Sequence, residues 1–225
     1  MTKRLKAAVL LSGGGGTLKN LLDKREAGRI PIDVELVVSS RPGVKGLDIA
    51  RDAGIRAEIV SPKDYAYDGR EAEVLYDWER MSKDMDKFLL PEKFDLVCMA
   101  GYLSRYLIPK ALSGKVLNIH PSLIPMFCGQ GMYGMKVHRA VVASGVKITG
   151  CTVHLVNNEY DAGPIVLQRA CPVYSEDTPE DIRRRVFKEE CIAYPHAINL
   201  FAEGRIRLIS DTRAFIKMKD GKGGA

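Results

Sequence analysis

Three short stretches of this sequence carry residue types that chemistry at a carbonyl or phosphate group needs. The first is Asn118-Ile119-His120-Pro121-Ser122. On a strand, residues i and i+2 share one face, so Asn118 and His120 would project together. An amide beside an imidazole suits acyl transfer: Asn118 can hold a developing oxyanion, and His120 can donate a proton or a hydrogen bond to it. A satisfied structural histidine beside a proline turn fits the same residues. The second stretch is Ser12-Gly13-Gly14-Gly15-Gly16-Thr17. Glycines after a strand let backbone N–H groups approach an anion at the positive end of the next helix. The dinucleotide pattern GxGxxG fails because its third glycine position is Leu18, and no Gly-Lys-Ser/Thr follows. A tight strand-to-helix turn is the alternative, although four successive glycines exceed what a turn needs. The third stretch is Asn157-Asn158-Glu159-Tyr160-Asp161-Ala162-Gly163. A carboxylate there could raise the pKa of a nearby histidine, and His154, just upstream, could join the cluster; a solvated turn aspartate is the plainer reading. His138 and His196 fall in helical patterns and read as structural or surface residues. No G-x-S-x-G nucleophile motif occurs, and no His/Asp/Glu spacing asks for a metal.

These stretches need elements to position them. Leu5–Leu11, Val34–Ser39, Ala57–Val60, Leu96–Ala100 and Val116–Ile119 read as strands. Between them, Thr17–Ala27, Leu47–Ala53 and Gly69–Leu89 carry helical spacing; the last places Val74, Leu75, Trp78, Met81, Met85, Phe88 and Leu89 on one face. Alternating strands and helices predict an α/β fold, a Rossmann-like, mostly parallel sheet flanked by helices. The second half reads differently. Val146–Val156 and Gly163–Val173 are consecutive strand-like runs, predicting antiparallel strands added in the C-terminal half. Thr178-Pro179-Glu180-Asp181 starts a helix with a capping box. Pro195 is expected to kink or break that helix, Gly204 to end it, and Arg205–Ile209 with Thr212–Ile216 to form a terminal strand pair.

The composition narrows the class. The 225 residues suit one large domain or two very small ones; the expectation is one domain over 1–216 with a basic, glycine-rich tail over 217–225. Apolar residues are 46% and charged residues 28%, which excludes disorder or a coiled coil for the whole chain. The net charge of +6 favours an anionic partner. Half of that excess lies in residues 203–225, with six Lys/Arg against three Asp/Glu. Aromatics are 7% and no basic-aromatic motif occurs, so nucleic acid is not the expected partner. The longest apolar runs, such as Ala7–Leu11, have five residues where a span needs about 20, so no membrane partner is expected. That run is also too short for a secretion signal. Five widely spaced cysteines without a CxxC pair read as reduced thiols in a cytoplasmic protein.

Together the motifs resemble the phosphoribosylglycinamide formyltransferases of purine synthesis, from Val9 to about Gly204. The resemblance rests on Val9-Leu10-Leu11-Ser12-Gly13, Asp68-Gly69-Arg70-Glu71, Met99-Ala100-Gly101-Tyr102, Leu117-Asn118-Ile119-His120-Pro121-Ser122-Leu123-Ile124-Pro125, Gly150-Cys151-Thr152-Val153-His154 and Asp161-Ala162-Gly163-Pro164-Ile165. The insert Phe127–Gly134 is similar to one found in a branch of that family.

The resemblance implies that 10-formyltetrahydrofolate is the formyl donor and the amine of glycinamide ribonucleotide the acceptor, with no metal. It implies that Asn118 and His120 stabilise the tetrahedral oxygen, and that Asp161 keeps His120 protonated and helps move a proton, with His154 in support. The acceptor phosphate is expected at Gly15, Gly16 and Thr17, with Glu190 near the ribose. The folate is expected against Leu103, Arg105, Tyr106, Asn157 and Tyr160, with Arg70 at its tail. A monomer or homodimer is expected. Three departures stand out. The phosphate loop of the family usually reads Gly-Asn-Gly-Ser/Thr-Asn-Leu, whereas here it is Gly13-Gly14-Gly15-Gly16-Thr17-Leu18. Phe187 occupies a position where the family often has a polar or basic phosphate contact. The stretch Tyr102–Leu117 is about two residues shorter than in common members. The related methionyl-tRNA enzyme needs a C-terminal nucleic-acid-binding domain that 225 residues are not expected to hold, and the formyltetrahydrofolate hydrolase carries an N-terminal regulatory domain, whereas here the catalytic fold is expected to start almost at Met1; a sugar-nucleotide formyltransferase fits the glycine loop less well.

Overall fold

The computed structural model describes residues 4–68 and 74–218. Its centre is a sheet built from β1 (Leu5–Leu11), β2 (Ile32–Ser39), β3 (Arg56–Ile59), β6 (Leu96–Met99), β7 (Val116–His120), β8 (Ile148–Leu155) and β9 (Ile165–Pro172), in the spatial order β3-β2-β1-β6-β7-β8-β9. The first five strands of that order run parallel. Strands β8 and β9 join antiparallel, as the later hydrophobic runs predict. From β1 the chain steps outward to β2 and β3, then returns to place β6 on the other side. The order therefore reverses between β1 and β6, and a crevice opens outside the strand ends there.

Period-two alternation decides the two faces. Ala7, Val9 and Leu11 of β1 point to one core, with α1 (Gly16–Glu26), α2 (Lys45–Asp52), α4 (Met135–Ser144) and α5 (Pro179–Ala202). Ala8 and Leu10 point to the other, with α3 (Trp78–Leu89). Leu10 and Leu11 are both fully buried, and each such side chain contributes about 1.5–3 kcal/mol. No helix joins β6 to β7; the crossover is an irregular segment with one 3-10 turn at Lys110–Leu112. That segment is pinned to α3, whose Ser82 hydroxyl accepts from the Leu107 N–H at 2.9 Å while Asp86 accepts from the Tyr106 hydroxyl at 2.6 Å.

Two expectations are corrected. Of the helical pattern over 69–89, residues 69–73 lie outside the described residues, and the helix starts at Trp78, where Asp77 caps it by accepting from the Arg80 N–H at 2.9 Å. Upstream, β4 (Ala66–Asp68) and β5 (Val74–Tyr76) form an antiparallel hairpin, and Leu75 is exposed. Met81, Met85 and Leu89 are the buried stripe. Pro195 does not break α5, which runs unbroken from Pro179 to Ala202. Proline cannot donate to the carbonyl four residues back. Here that carbonyl, Cys191 O, accepts instead from the Asn20 side-chain amide of α1 at 3.3 Å. The predicted capping box of Thr178 and Asp181 is present, and β10 (Ile206–Ser210) pairs with β11 (Arg213–Ile216). Most of the expected tail, residues 219–225, lies outside the described residues.

Candidate active site

The crevice between β1 and β6 deepens into a cavity of about 810 Å³, within the range of small-molecule sites. Its lining brings together Asn118, His120, His154, Asp161, Gly15, Gly16, Thr17, Glu190, Leu103, Arg105, Tyr106, Asn157 and Tyr160. Arg70 lies outside the described residues.

The glycine loop follows β1. Gly15 sits at φ 71°, and a Cβ on it would meet the Gly46 Cα of α2 at 2.6 Å. The loop therefore lies flat on the start of α2, where only glycine fits. Helix α1 begins at Gly16 with no side-chain cap and no acid in its first turn. Its leading N–H groups and the positive end of its dipole are left for an anion. Ser12 ties this loop to the segment after β6: its N–H donates to Gly101 O at 3.0 Å, and its hydroxyl accepts from the Leu103 N–H at 2.8 Å.

Asn118 and His120 share one face of β7, and Asn118 lies opposite His154 on β8. His154 Nδ1 is 2.9 Å from the Leu155 carbonyl, which can only accept, so that nitrogen carries the proton. His154 Nε2 then accepts from Asn118 Nδ2 at 3.0 Å. This fixes the Asn118 amide and leaves its second N–H for a ligand.

Asp161 reaches the same point from the β8–β9 loop. Its carboxylate is 3.5 Å from His120 Nδ1 and 3.7 Å from His154 Nε2, and it accepts from the Gly129 N–H at 2.8 Å. Its φ is 52°, a left-handed conformation that Asp tolerates. Two residues on, a Cβ at Gly163 would lie 1.9 Å from Leu155 O, so glycine is required where the chain folds back against β8. Burial alone would raise the Asp161 carboxyl, but His154 and His120 in their protonated forms, with the Gly129 amide, bring it below the usual carboxylate range.

His120 differs from the expectation that its neighbour keeps it protonated. Burial pushes its pKa down and outweighs the Asp161 charge and the Phe127 carbonyl, which push it up. The imidazole is 4% exposed, and its Nε2 donates to Phe127 O at 2.9 Å. Burial thus favours the neutral imidazole, and the adjacent carboxylate favours the protonated one.

The residues expected to meet the folate divide. Leu103 is exposed on the cavity wall. Arg105 stacks on the Tyr160 ring at 5.5 Å and donates to Asn158 O at 3.2 Å. Tyr106 offers only its ring, because its hydroxyl is spent on Asp86. Asn157 is held within its loop by the Glu159 N–H at 3.0 Å and donates to Asp211 O at 3.3 Å.

On the opposite wall, α5 presents Arg183, Phe187 and Glu190. The Phe187 ring lies 3.1 Å from where a Gly16 Cβ would be. Burial pushes the Glu190 carboxyl up to about 7 against the pull of Arg183. Helix α4 adds His138, buried, with no partner for its Nδ1. Sequence reasoning missed Arg183 and left His138 as structural; the spacing 183, 187, 190 on one helix face was the available signal. Among the described residues, no group of three or more His, Cys, Asp or Glu could hold a metal ion.

Known proteins share this architecture. Glycinamide ribonucleotide transformylase 1 of Symbiobacterium toebii superposes with a TM-score of 0.81 and 41% identity, over 95% of this chain and 94% of that one. The phosphoribosylglycinamide formyltransferase of Haemophilus influenzae is 36% identical over 220 residues, 96% of this chain and 94% of that protein. The trifunctional purine biosynthetic protein adenosine-3 of Gallus gallus is 37% identical over 92% of this chain, which spans only 19% of that protein's length. The formyl transferase family model matches residues 5–198, from the first strand to near the end of α5, and the chain accordingly belongs to the formyl transferase family.

Proposed function

We propose that this protein transfers the formyl group of 10-formyltetrahydrofolate to the amine of glycinamide ribonucleotide, giving formylglycinamide ribonucleotide and tetrahydrofolate in purine biosynthesis. The observation that carries this reading is the meeting of Asn118, His120 and Asp161 in one cavity with an uncapped, glycine-lined helix start. The family membership and the relatives that bear this activity in their names support it.

The phosphate of the acceptor rests on the N–H groups at Gly15, Gly16 and Thr17, with Glu190 toward the ribose. The folate lies between Leu103–Tyr106 and the Asn157–Asp161 loop. Attack of the amine on the formyl carbon forms the new C–N bond and places negative charge on the formyl oxygen. The free N–H of Asn118 meets that oxygen, and His120 turns its Nε2–H from the Phe127 carbonyl toward it. The new negative charge adds to that of Asp161 and raises the affinity of His120 for a proton. Asp161 passes the proton lost by the amine, through water, toward the folate nitrogen, and the bond between that nitrogen and the formyl carbon breaks. Five unpaired cysteines support a cytoplasmic, reducing setting, and no helix among the described residues is long and apolar enough to cross a membrane.

The experiment is direct. Purified protein with a 10-formyl folate and glycinamide ribonucleotide should release tetrahydrofolate, followed by absorbance. Turnover with an amino-sugar nucleotide but not with glycinamide ribonucleotide would overturn the assignment.

A further inference from the structure

We propose that Arg183 is the cationic contact for the acceptor phosphate and so sets the preference for a phosphorylated acceptor. The inference rests on the proposed reading of the cavity as the site of a phosphorylated ribonucleotide.

The glycine loop offers backbone donors but little charge. Gly13, Gly14 and Gly16 have no side chains, and α1 has no polar cap. A phosphate monoester carries close to two negative charges at neutral pH, and partial charges at a helix start balance only about half of one. The cavity must supply a full cation. Among the described lining residues, the Lys and Arg side chains are Arg105 and Arg183. Arg105 belongs to the folate end, engaged by Tyr160 and Asn158. Arg183 belongs to the glycine-loop end. It lies one turn before Phe187, whose ring packs on Gly16, so the two side chains are neighbours on one face of α5.

Its present bonding leaves it available. Nε and Nη2 share one oxygen of Glu180, and Nη1 bonds to no described residue. The guanidinium is half-exposed at the cavity edge. The adjoining arginines, Arg184 paired with Asp181 and Arg185 with Asp177, do not line the cavity. His138, 3% exposed, lines the same cavity; burial first and the Arg183 charge second push its pKa down, so the two side chains lie close together. Phe187 fills the space beside Gly16 with an apolar ring, so charge recognition moves one helical turn to Arg183.

The test compares Arg183→Ala with Arg184→Ala in the full chain. Steady-state kinetics read KM and kcat for glycinamide ribonucleotide, and calorimetry with ribose 5-phosphate reads phosphate binding without turnover. Arg183→Ala should raise KM about tenfold or more, with kcat within about twofold, and weaken ribose 5-phosphate similarly. Arg184→Ala should leave both unchanged. Arg183→Lys, keeping the charge and losing the planar fork, should recover part of the affinity. Glycinamide riboside, which lacks the phosphate, should show no difference between wild type and Arg183→Ala. An unchanged KM or ribose 5-phosphate affinity in Arg183→Ala would overturn the inference, as would an equal loss with the riboside. Failure of the wild type to use glycinamide ribonucleotide would sink the formyl-transfer reading, while the ribose 5-phosphate titration would still report on Arg183.

Discussion

Replacing Asp161 by Asn isolates the charge at the centre of the site. Asparagine tolerates the left-handed conformation that residue 161 adopts at φ 52°, and its amide oxygen can still accept from the Gly129 N–H. The backbone and the loop should therefore persist. What disappears is a negative charge 3.5 Å from His120 Nδ1. With an effective dielectric constant near 20, that charge stabilises an imidazolium by about 4–5 kcal/mol, equivalent to about three decades of rate. Relaxation and water entry reduce this, so kcat should fall about 10²–10³-fold. The sign of the pH effect follows from the same pair. Burial already lowers the His120 pKa and Asp161 is the largest influence raising it, so Asp161→Asn lowers it further and the rate should not recover as the pH falls to 6. Tetrahydrofolate release at saturating substrates between about pH 6 and 9 reads this directly. A variant that keeps kcat within about threefold of wild type would refute the role of Asp161. A loss confined to KM would do the same, because the charge is assigned to the reacting state.

Three further outcomes follow from the packing. Gly15→Ala puts a Cβ within 2.6 Å of the Gly46 Cα at φ 71°, so it should destabilise the fold by about 1–3 kcal/mol and weaken ribose 5-phosphate binding; chemical denaturation and calorimetry check the two effects. Tyr194→Phe removes a fully buried hydroxyl lying 3.0 Å from Met99 O and 2.8 Å from Leu117 O, and should cost about 1–3 kcal/mol in denaturant titration. Glu190→Gln should raise the melting temperature at pH 8 and leave it nearly unchanged at pH 4. The folded pKa of Glu190 is raised to about 7, so the wild type loses stability as the pH rises from its unfolded value near 4.5 to 7. Equal melting-temperature shifts at both pH values would exclude that burial effect.

Much of the fold was legible because each central strand is a short apolar run closed by a polar or glycine break, as at Leu5–Leu11 before Ser12. The β4–β5 hairpin was not, because Val74 and Leu75 extend the helical spacing of Met81 and Met85, with only the Asp77 cap marking the true start. That Pro195 leaves α5 unbroken could not be read, because the partner of the freed carbonyl, the Asn20 amide, lies far away in sequence. In the site, Asn118 and His120 declared themselves by their i, i+2 spacing on a strand. The approach of Asp161 to them became an expectation through resemblance and a distance through the antiparallel return of β8. Arg183 stayed hidden among three consecutive arginines, because only the packed rotation of α5 decides which of them faces the cavity. The direction of the His120 shift was hidden for a related reason: a motif names the neighbouring carboxylate but not the depth of burial.

Ser12 has a broader consequence. It ends the strand that launches the glycine loop, and its hydroxyl and backbone N–H hold the opening of the Tyr102–Tyr106 segment. The proposed sites of the acceptor and the donor thus share a common footing. Loosening that footing would blur the alignment of nucleophile and carbonyl while leaving the chemical groups of each pocket in place. The reaction would then slow through poorer aim, the same failure seen in a jig whose two clamps no longer rest on one bench.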